Sequence, residues 1–200
     1  MAGIWKIRCL SRLGHWKPVW HSLNVHRYST GTQASENINW YCSDIVKLRG
    51  SEFQGRHIQV HSEQEVKEAL KLFAQEHKRV MKKASHPAIY AWRTGEKVEL
   101  SEEEILQNTL NPDSKQLKKK KKGIEPSKLH KYINVSQGVE DGGERRSGQD
   151  LFRRVIQRYE LYNVLVIVSR WMRGSTIGPS RFKCIGDAGT DSVRKGGLIS

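Results

Sequence analysis

The sequence predicts an α+β fold in which helices pack on a mixed β-sheet. Apolar residues recur at the spacing of one helix face in two segments, 63–84 and 151–159, and the second helix is expected to start at Ser147 or Asp150. Short apolar or alternating runs, which are typical of strands, lie outside these segments. Two of the runs, 87–92 and 131–135, follow each other without a sustained helical period between them. That order breaks the strand–helix alternation of an α/β fold and therefore indicates the α+β class.

The first predicted strand contains Phe53 and the alternating run 57–60. Ser62 and Glu65 then match a capping box, in which a hydroxyl and a carboxylate satisfy the first free amides of a helix. The apolar side chains that follow recur at helical spacing: Val66, Leu70, Phe73, Val80 and Ala84. We therefore expect one amphipathic helix over residues 63–84.

Residues 95–130 differ in character from the segments on either side. The segment has a Glu-rich stretch at 102–104, an Asn-Pro-Asp sequence and the lysine run Lys118–Lys122. Five adjacent lysines repel one another and cannot be buried without partners. We expect a solvated insertion here, whose lysines add nonspecific affinity for phosphate, keep the loop soluble or form a localisation signal.

The strongest strand signal in the second half is Val164–Val168, five consecutive branched apolar residues. Such a run predicts a strand that is buried on both faces or lies at the centre of a sheet. Pro179 suits the first turn of a further helix. Gly186 and Gly189 favour an early end to that helix, so residues 191–200 are expected to form a flexible tail.

Composition excludes several classes of protein. The 200 residues include 35 Lys and Arg against 21 Asp and Glu, a formal net charge of +14. No run reaches the roughly 18 apolar residues that a membrane helix needs. Three distant cysteines form neither a disulfide framework nor a zinc-ligand pattern. The charge leaves nucleic acid, an anionic membrane or a targeting segment as its explanation.

The first 35 residues contain five basic side chains and no acidic one. Tryptophan and aliphatic residues lie between the basic ones at spacings near three and four, which predicts an amphipathic, basic segment. This is the pattern of a mitochondrial transit peptide, with Arg27 placed two residues before a cut at Ser29. The alternative is a disordered basic tail. We expect mitochondrial localisation, with a cytoplasmic location as the alternative, and a net charge of +9 for residues 36–200.

Carboxylates gather in a glycine-rich loop that contains Glu140, Asp141 and Glu144. Together with His86 they could form a metal or acid–base cluster, because hard cations prefer several carboxylates. The alternative is an acidic turn whose carboxylates form ion pairs with nearby arginines. No fixed ligand spacing, nucleophile elbow or phosphate loop accompanies these residues. We therefore expect no catalytic residue, no metal and no cofactor. A hydrolase that uses the acidic loop is the least favoured hypothesis.

Basic residues cluster around one predicted strand-to-helix turn, where helix-start amides also favour an anion: Arg170, Arg173, Arg181 and Lys183. Trp171 lies among them and can stack on a base, as recognition of single-stranded RNA often requires. The alternative is that Arg170 pairs with the acidic loop and Trp171 fills the core. We take these five residues, with Glu140, Asp141 and Glu144, as the expected binding site.

The same region resembles the signature of the IMPACT family. The resemblance rests on the run 163–171, then Gly174, the Ile177-Gly178-Pro179 sequence and residues 181–183. Upstream pieces fall in the family's order: Ser51-Glu52-Phe53, His86 with Tyr90 and Arg93, and Glu140-Asp141 with Gly143-Glu144. The resemblance covers residues 45–190, interrupted by the insertion. Two positions depart from the pattern, since Arg173 replaces a glycine and Gly142 stands where relatives more often carry a second aspartate.

The resemblance implies a fold similar to the second domain of a small-subunit ribosomal protein, with helices on one face of a four-stranded sheet. It also implies a small eukaryotic, fungal-type member without the extra N-terminal domain of larger relatives, which restrain a general-control kinase by competing for its ribosome-associated activator. The expected function is a non-enzymatic interaction protein that acts on translation control or the ribosome through a protein or ribosome-associated partner. The alternative is an RNA-binding module that acts in mitochondria. The oligomeric state stays open.

Overall fold

The computed structural model describes residues 39–101, 103–104, 130–174 and 176–200. The described residues from Trp40 onward belong to one compact unit. The expected transit segment and the lysine run Lys118–Lys122 lie outside the described residues. No helix in the described part of the chain is long and apolar enough to cross a membrane.

The described residues form one sheet of six strands, in which every pairing is antiparallel. The strands are β1 (Tyr41–Cys42), β2 (Val46–Leu48), β3 (Ser51–Gln59), β4 (His86–Glu99), β5 (His130–Glu140) and β6 (Val164–Met172). Their order is β1-β3-β6-β4-β5, and β2 also pairs with β3. The expectation of a mixed, four-stranded sheet was therefore wrong. The two extra strands contain only two and three residues, too few to show a period in the sequence.

Strand β6 lies at the centre of the sheet and is buried on both faces, as its apolar run predicted. Val164, Val166 and Val168 contribute to one core cluster. Leu165 and Ile167 contribute to a second cluster. Because successive side chains of a strand point to opposite faces, these two clusters lie on opposite sides of the sheet.

Helices cover both faces, so the expectation of helices on one face was also wrong. The described helices are α1 (Glu63–Glu76), α2 (Lys78–Lys83), α3 (Ser147–Leu151) and α4 (Ser180–Lys195). Side chains of α1 and α2 pack in the cluster of Leu165 and Ile167. Side chains of α3 and α4 pack in the cluster of Val164, Val166 and Val168.

The predicted helix over 63–84 forms as two helices that are separated at His77. Its start is the predicted capping box, because Glu65 N donates to Ser62 Oγ at 3.1 Å and Glu65 Oε2 accepts from His61 N at 2.9 Å. His77 has φ −104° and ψ 40°, outside the helical region, and this residue ends α1. The apolar spacing was therefore correct while the break at His77 was not predicted.

Helix α3 continues into a π-helical turn over Phe152–Gln157, and α4 runs on to Lys195. The prediction of a flexible tail over residues 191–200 is wrong. Helix α4 extends through the first half of this segment, and Val193 is fully buried. Gly189 does not end the helix. An added Cβ there would lie 2.7 Å from Leu151 Cδ1, so glycine permits α4 to pack closely on α3.

Candidate functional site

The loop between β5 and α3 is held in place by Asp141. Its carboxylate accepts from the backbone N–H groups of Arg146 at 2.8 Å and Gly148 at 2.9 Å, and so caps the start of α3. Gly142 has φ +57°, and an added Cβ would lie 2.4 Å from the carbonyl oxygen of Ala88. An aspartate at position 142 would therefore be strained in this loop.

Glu144 lies at the end of this loop, buried among three basic side chains. Its Oε2 accepts from Arg170 Nη1, and His86 Nε2 lies 3.2 Å from the same oxygen. Arg181 Nε lies 2.7 Å from Oε1, close enough for an ion pair although the N–H is not aligned as a hydrogen bond. We call Glu144, His86, Arg170 and Arg181 the Glu144 cluster.

Each basic member of the Glu144 cluster also contacts a second group. Arg170 Nη2 donates to Ser51 Oγ at 3.5 Å, and Arg181 Nη1 donates to the carbonyl oxygen of Gly178 at 2.8 Å. The ring of His86 lies between two acceptors, Glu144 Oε2 and the carbonyl oxygen of Gly142 at 3.1 Å from Nδ1. The cluster therefore joins the β5–α3 loop, the ends of β4 and β6, and the first turn of α4.

The carboxylates of the acidic loop do not converge on one point. Asp141 caps α3, Glu140 Oε1 accepts weakly from the backbone of Gly142 at 3.4 Å, and Glu144 is occupied by the arginines. Within the described ranges, no group of three or more His, Cys, Asp or Glu side chains is arranged to hold a metal. This arrangement fixes two loops relative to the sheet: the loop between β5 and α3 and the loop between β6 and α4.

Cys184 on α4 lies beside the cluster as a buried thiol. Burial raises its pKa first, and the nearby Asp187 carboxylate raises it further. A thiol in this environment stays protonated at neutral pH and is a poor nucleophile. Cys184 therefore does not supply the reactive group that a hydrolase would need.

The eight expected site residues do not share one surface. Arg170 is 3% exposed and engaged with Glu144, so this arginine is not available to a ligand. Trp171 points to the other face of the sheet, where it is half-buried against the α1–α2 core. Arg173 and Lys183 are exposed, and Glu140 is exposed at the end of β5. The structure thus leaves Glu140, Arg173 and Lys183 accessible.

Two buried polar residues on β3 were not anticipated from the sequence. Arg56 is 2% exposed, donates to Gln54 Oε1 at 2.6 Å and lies over the Phe73 ring. His57 is 1% exposed and stacks on Tyr41. A charged residue in a short alternating run looks like the solvent face of a strand, and no local signal shows that a helix covers it.

The fold and the Glu144 cluster define a compact α+β domain whose central polar groups are engaged with one another. A family model described as the Impact N-terminal domain matches residues 49–193, which is most of the chain. The protein belongs to the IMPACT family.

Two curated relatives come from Saccharomyces cerevisiae. The chain is 32% identical over 169 residues to IMPACT family member YDL177C, an alignment that covers 80% of this chain and 93% of that protein. It is 28% identical over 161 residues to Protein IMPACT homolog, covering 80% of this chain but only 48% of the relative's length. A shorter stretch of 52 residues is 46% identical to Protein IMPACT-B of Xenopus tropicalis, covering 26% of this chain and 16% of that protein.

Two solved structures also align with the chain. One is the two-domain translational regulator Yih1, with a TM-score of 0.44 and 25% identity, covering 89% of this chain and 54% of that one. The other is a crystal structure of a hypothetical protein, with a TM-score of 0.47 and 15% identity, covering 78% of this chain and 60% of that one.

Proposed function

We propose that this protein is a non-enzymatic interaction protein that acts in translation control, through the surface beside the Glu144 cluster. The observation that supports this function is the family match over residues 49–193, which covers both loops that the cluster fixes. Loops held just beyond strand ends can carry binding residues without disturbing the core. The exposed charges there include Glu140, Arg173 and Lys183, together with Arg145 and Arg146 of the same loop.

The partner that we propose is a protein associated with ribosomes. The IMPACT family resemblance implies competition for a ribosome-associated activator, and the exposed cations of this surface suit a partner with acidic groups. Glu144 and Arg170 act as positioning residues in this proposal, because each is buried in an ion pair and neither is free to meet a partner. The RNA-binding alternative at Arg170 and Trp171 loses its support, because the two side chains lie on opposite faces of the sheet.

The test is the double reversal Arg173→Glu with Lys183→Glu, followed by sedimentation of the tagged full chain with ribosomes from fractionated cells. Association should weaken strongly and weaken further with added salt, since both charges are exposed. The matched control is Lys97→Glu with Arg194→Glu, two exposed cations outside the proposed surface. Melting of both variants should stay near that of the unmodified protein. Equal ribosome association of the two double variants would remove this surface as the site.

We also propose that residues 1–28 direct import into mitochondria and are removed. This proposal rests on the five basic side chains and the lack of acidic residues over residues 1–35. Replacing Lys6, Arg8 and Arg12 by glutamine should keep a tagged chain in the cytosol, whereas the unmodified chain should have its mature N-terminus near Ser29. The contrary result is recovery of the unmodified chain with Met1 intact in the cytosol and its absence from mitochondria. That result would contradict this proposal and place the ribosomal partner in the cytosol.

A further inference from the structure

Helix α2 and the neighbouring end of the sheet carry six exposed cations. The helix has the sequence KRVMKK, and its four basic side chains are all exposed. Two further exposed arginines belong to the turn after β2 and the residue after β6. We call this set the α2 basic surface: Arg49, Lys78, Arg79, Lys82, Lys83 and Arg173. Among residues that the structure describes, none of the six side chains forms an ion pair or side-chain hydrogen bond.

Three separate segments of the chain bring these cations together. Arg173 N donates to the carbonyl oxygen of Gly50 at 3.1 Å, which places Arg173 beside Arg49. On the other side, Met172 N donates to Ser85 Oγ at 3.0 Å, which places the end of β6 beside the residues that follow Lys83. These two hydrogen bonds place Arg49, Arg173 and the C-terminal end of α2 at one end of the sheet.

Glu52 is a carboxylate at this end of the sheet, and it already pairs with Lys47. Six exposed cations without ion-pair partners of their own fit an extended polyanion better than a single anion. A membrane surface fits less well, because an interfacial helix inserts a wide apolar face. Helix α2 has two apolar residues, of which Val80 is 5% exposed in the core and Met81 alone is exposed. A protein interface fits less well too, since the centres of such interfaces are depleted in lysine and enriched in aromatic residues. The remaining candidate ligand is a nucleic-acid backbone. Lys and Arg neutralise its phosphates, and counterions are released.

We propose that the α2 basic surface binds the phosphodiester backbone of a nucleic acid without reading its sequence. The site shares Arg173 with the surface proposed above but is otherwise separate from the Glu144 cluster and its loops. This inference does not depend on the proposed translation partner, and its test leaves Arg173 unchanged so that the two proposals can be told apart. It also differs from the earlier RNA hypothesis, which placed the ligand on Arg170 and Trp171. The cations act by neutralising phosphates, so affinity should depend on salt concentration and little on base sequence.

The test is the triple reversal Arg79→Glu, Lys82→Glu and Lys83→Glu, which leaves Arg173 and Lys183 unchanged. Binding of the full chain to a short fluorescein-labelled RNA of mixed sequence is measured by anisotropy over a range of salt concentrations. The dissociation constant should rise about tenfold or more at low salt, and the slope of log K against log salt should become shallower by about 2. The matched control is Lys97→Glu, Arg145→Glu and Arg194→Glu, which changes the net charge by the same amount at exposed sites elsewhere.

Several outcomes would overturn the proposal. One is equal RNA affinity of the two triple variants, and another is loss of binding only when Lys118–Lys122 is replaced by Gly and Ser. A third is strong binding to phosphatidylserine vesicles with no RNA binding. DNA of the same sequence should bind within a few fold of RNA, and a large preference that the reversal leaves intact would place recognition elsewhere. If the reversal impairs folding in a melting experiment, the same three residues changed to glutamine must give the affinity loss.

Discussion

The positive charge around Glu144 exceeds the single negative charge of its carboxylate. Two arginines and a histidine face its oxygens, and Arg170 is nearly inaccessible to solvent. The net value of a buried ion pair is modest, because desolvation offsets much of the attraction between the charges. Removing one member has a larger effect, because the remaining charge stays buried without its partner.

Glu144→Ala should therefore lower the free energy of unfolding by about 3–5 kcal/mol, as loss of one partner of a buried pair does. Glu140→Ala is the matched control, since this exposed carboxylate lies in the same loop and its loss should change stability by no more than about 0.5 kcal/mol. Urea unfolding followed by circular dichroism measures both. Equal stability of the two variants would mean that the Glu144 cluster does not hold the loops.

His57 gives the protein a dependence on pH that the Glu144 cluster does not explain. Desolvation by burial lowers its pKa from 6.5 to about 4, although a hydrogen bond to the backbone of Ser192 raises it in part. The unfolded chain takes up the proton first as the pH falls, so this contribution to stability is complete above about pH 6.5 and is lost towards pH 4. The full difference amounts to about 3 kcal/mol.

We expect the free energy of unfolding to decrease from pH 7 to pH 4.5, and the decrease to become smaller in His57→Gln. His61→Gln serves as the control, because His61 is exposed and its replacement should leave the pH dependence unchanged. Urea midpoints at several pH values give the comparison. A pH dependence in His57→Gln as steep as that of the unmodified protein would assign the titration to other groups.

At the scale of elements, the two glycines of α4 have different surroundings. An added Cβ at Gly189 would lie 2.7 Å from Leu151 Cδ1 and 3.1 Å from Val155 Cγ2, both in the core. At Gly186 the nearest atom is Arg154 Cδ at 2.6 Å, part of a flexible side chain that is 40% exposed. Glycine is therefore a packing requirement at position 189 and much less so at position 186.

Gly189→Ala should lower the free energy of unfolding by about 1–3 kcal/mol through overpacking. Gly186→Ala should leave it unchanged or raise it by up to about 1 kcal/mol, because alanine favours the helix and Arg154 can move aside. The pair is its own control, since helix propensity changes equally in both. Thermal melting that ranks Gly189→Ala above Gly186→Ala would contradict the close packing of α3 on α4.

These glycines also show why the sequence predicted some elements and not others. The apolar run Val164–Val168 and the Ser62 capping box each carry a local signal, and both elements formed as predicted. The length of α4 was not predicted, because a glycine that permits close packing looks the same in sequence as one that ends a helix.

At the site, the pairing of Arg170 with the acidic loop was considered from charge alone. Which carboxylate would pair with it depends on the turn at Gly142, and that turn depends on the approach of β4.

At the scale of the whole molecule, β4 and β5 extend beyond the rest of the sheet as a two-stranded ribbon. Their pairing continues to Glu99↔His130, whereas β6 pairs with β4 only as far as Arg93. The ribbon packs on the remainder of the fold where Tyr132 stacks on Tyr162, with ring centroids 3.8 Å apart. The sequence placed the start of a solvated insertion at residue 95, but residues 95–99 belong to β4.

Because Glu99 and His130 are register partners, a short turn can join them directly. Replacing residues 100–129 by a short Gly-Ser turn should leave the melting temperature within a few degrees of that of the full chain. The replacement removes the surface ion pair of Lys131 with Glu104, which should contribute little because both side chains are exposed to solvent. A longer replacement, of residues 97–128, also removes the strand partners of Tyr132 and Lys131 and should melt at a lower temperature. Equal melting of the two shortened chains would show that the ribbon adds nothing to stability, and aggregation of the shorter replacement alone would show that the exchanged segment packs on the domain.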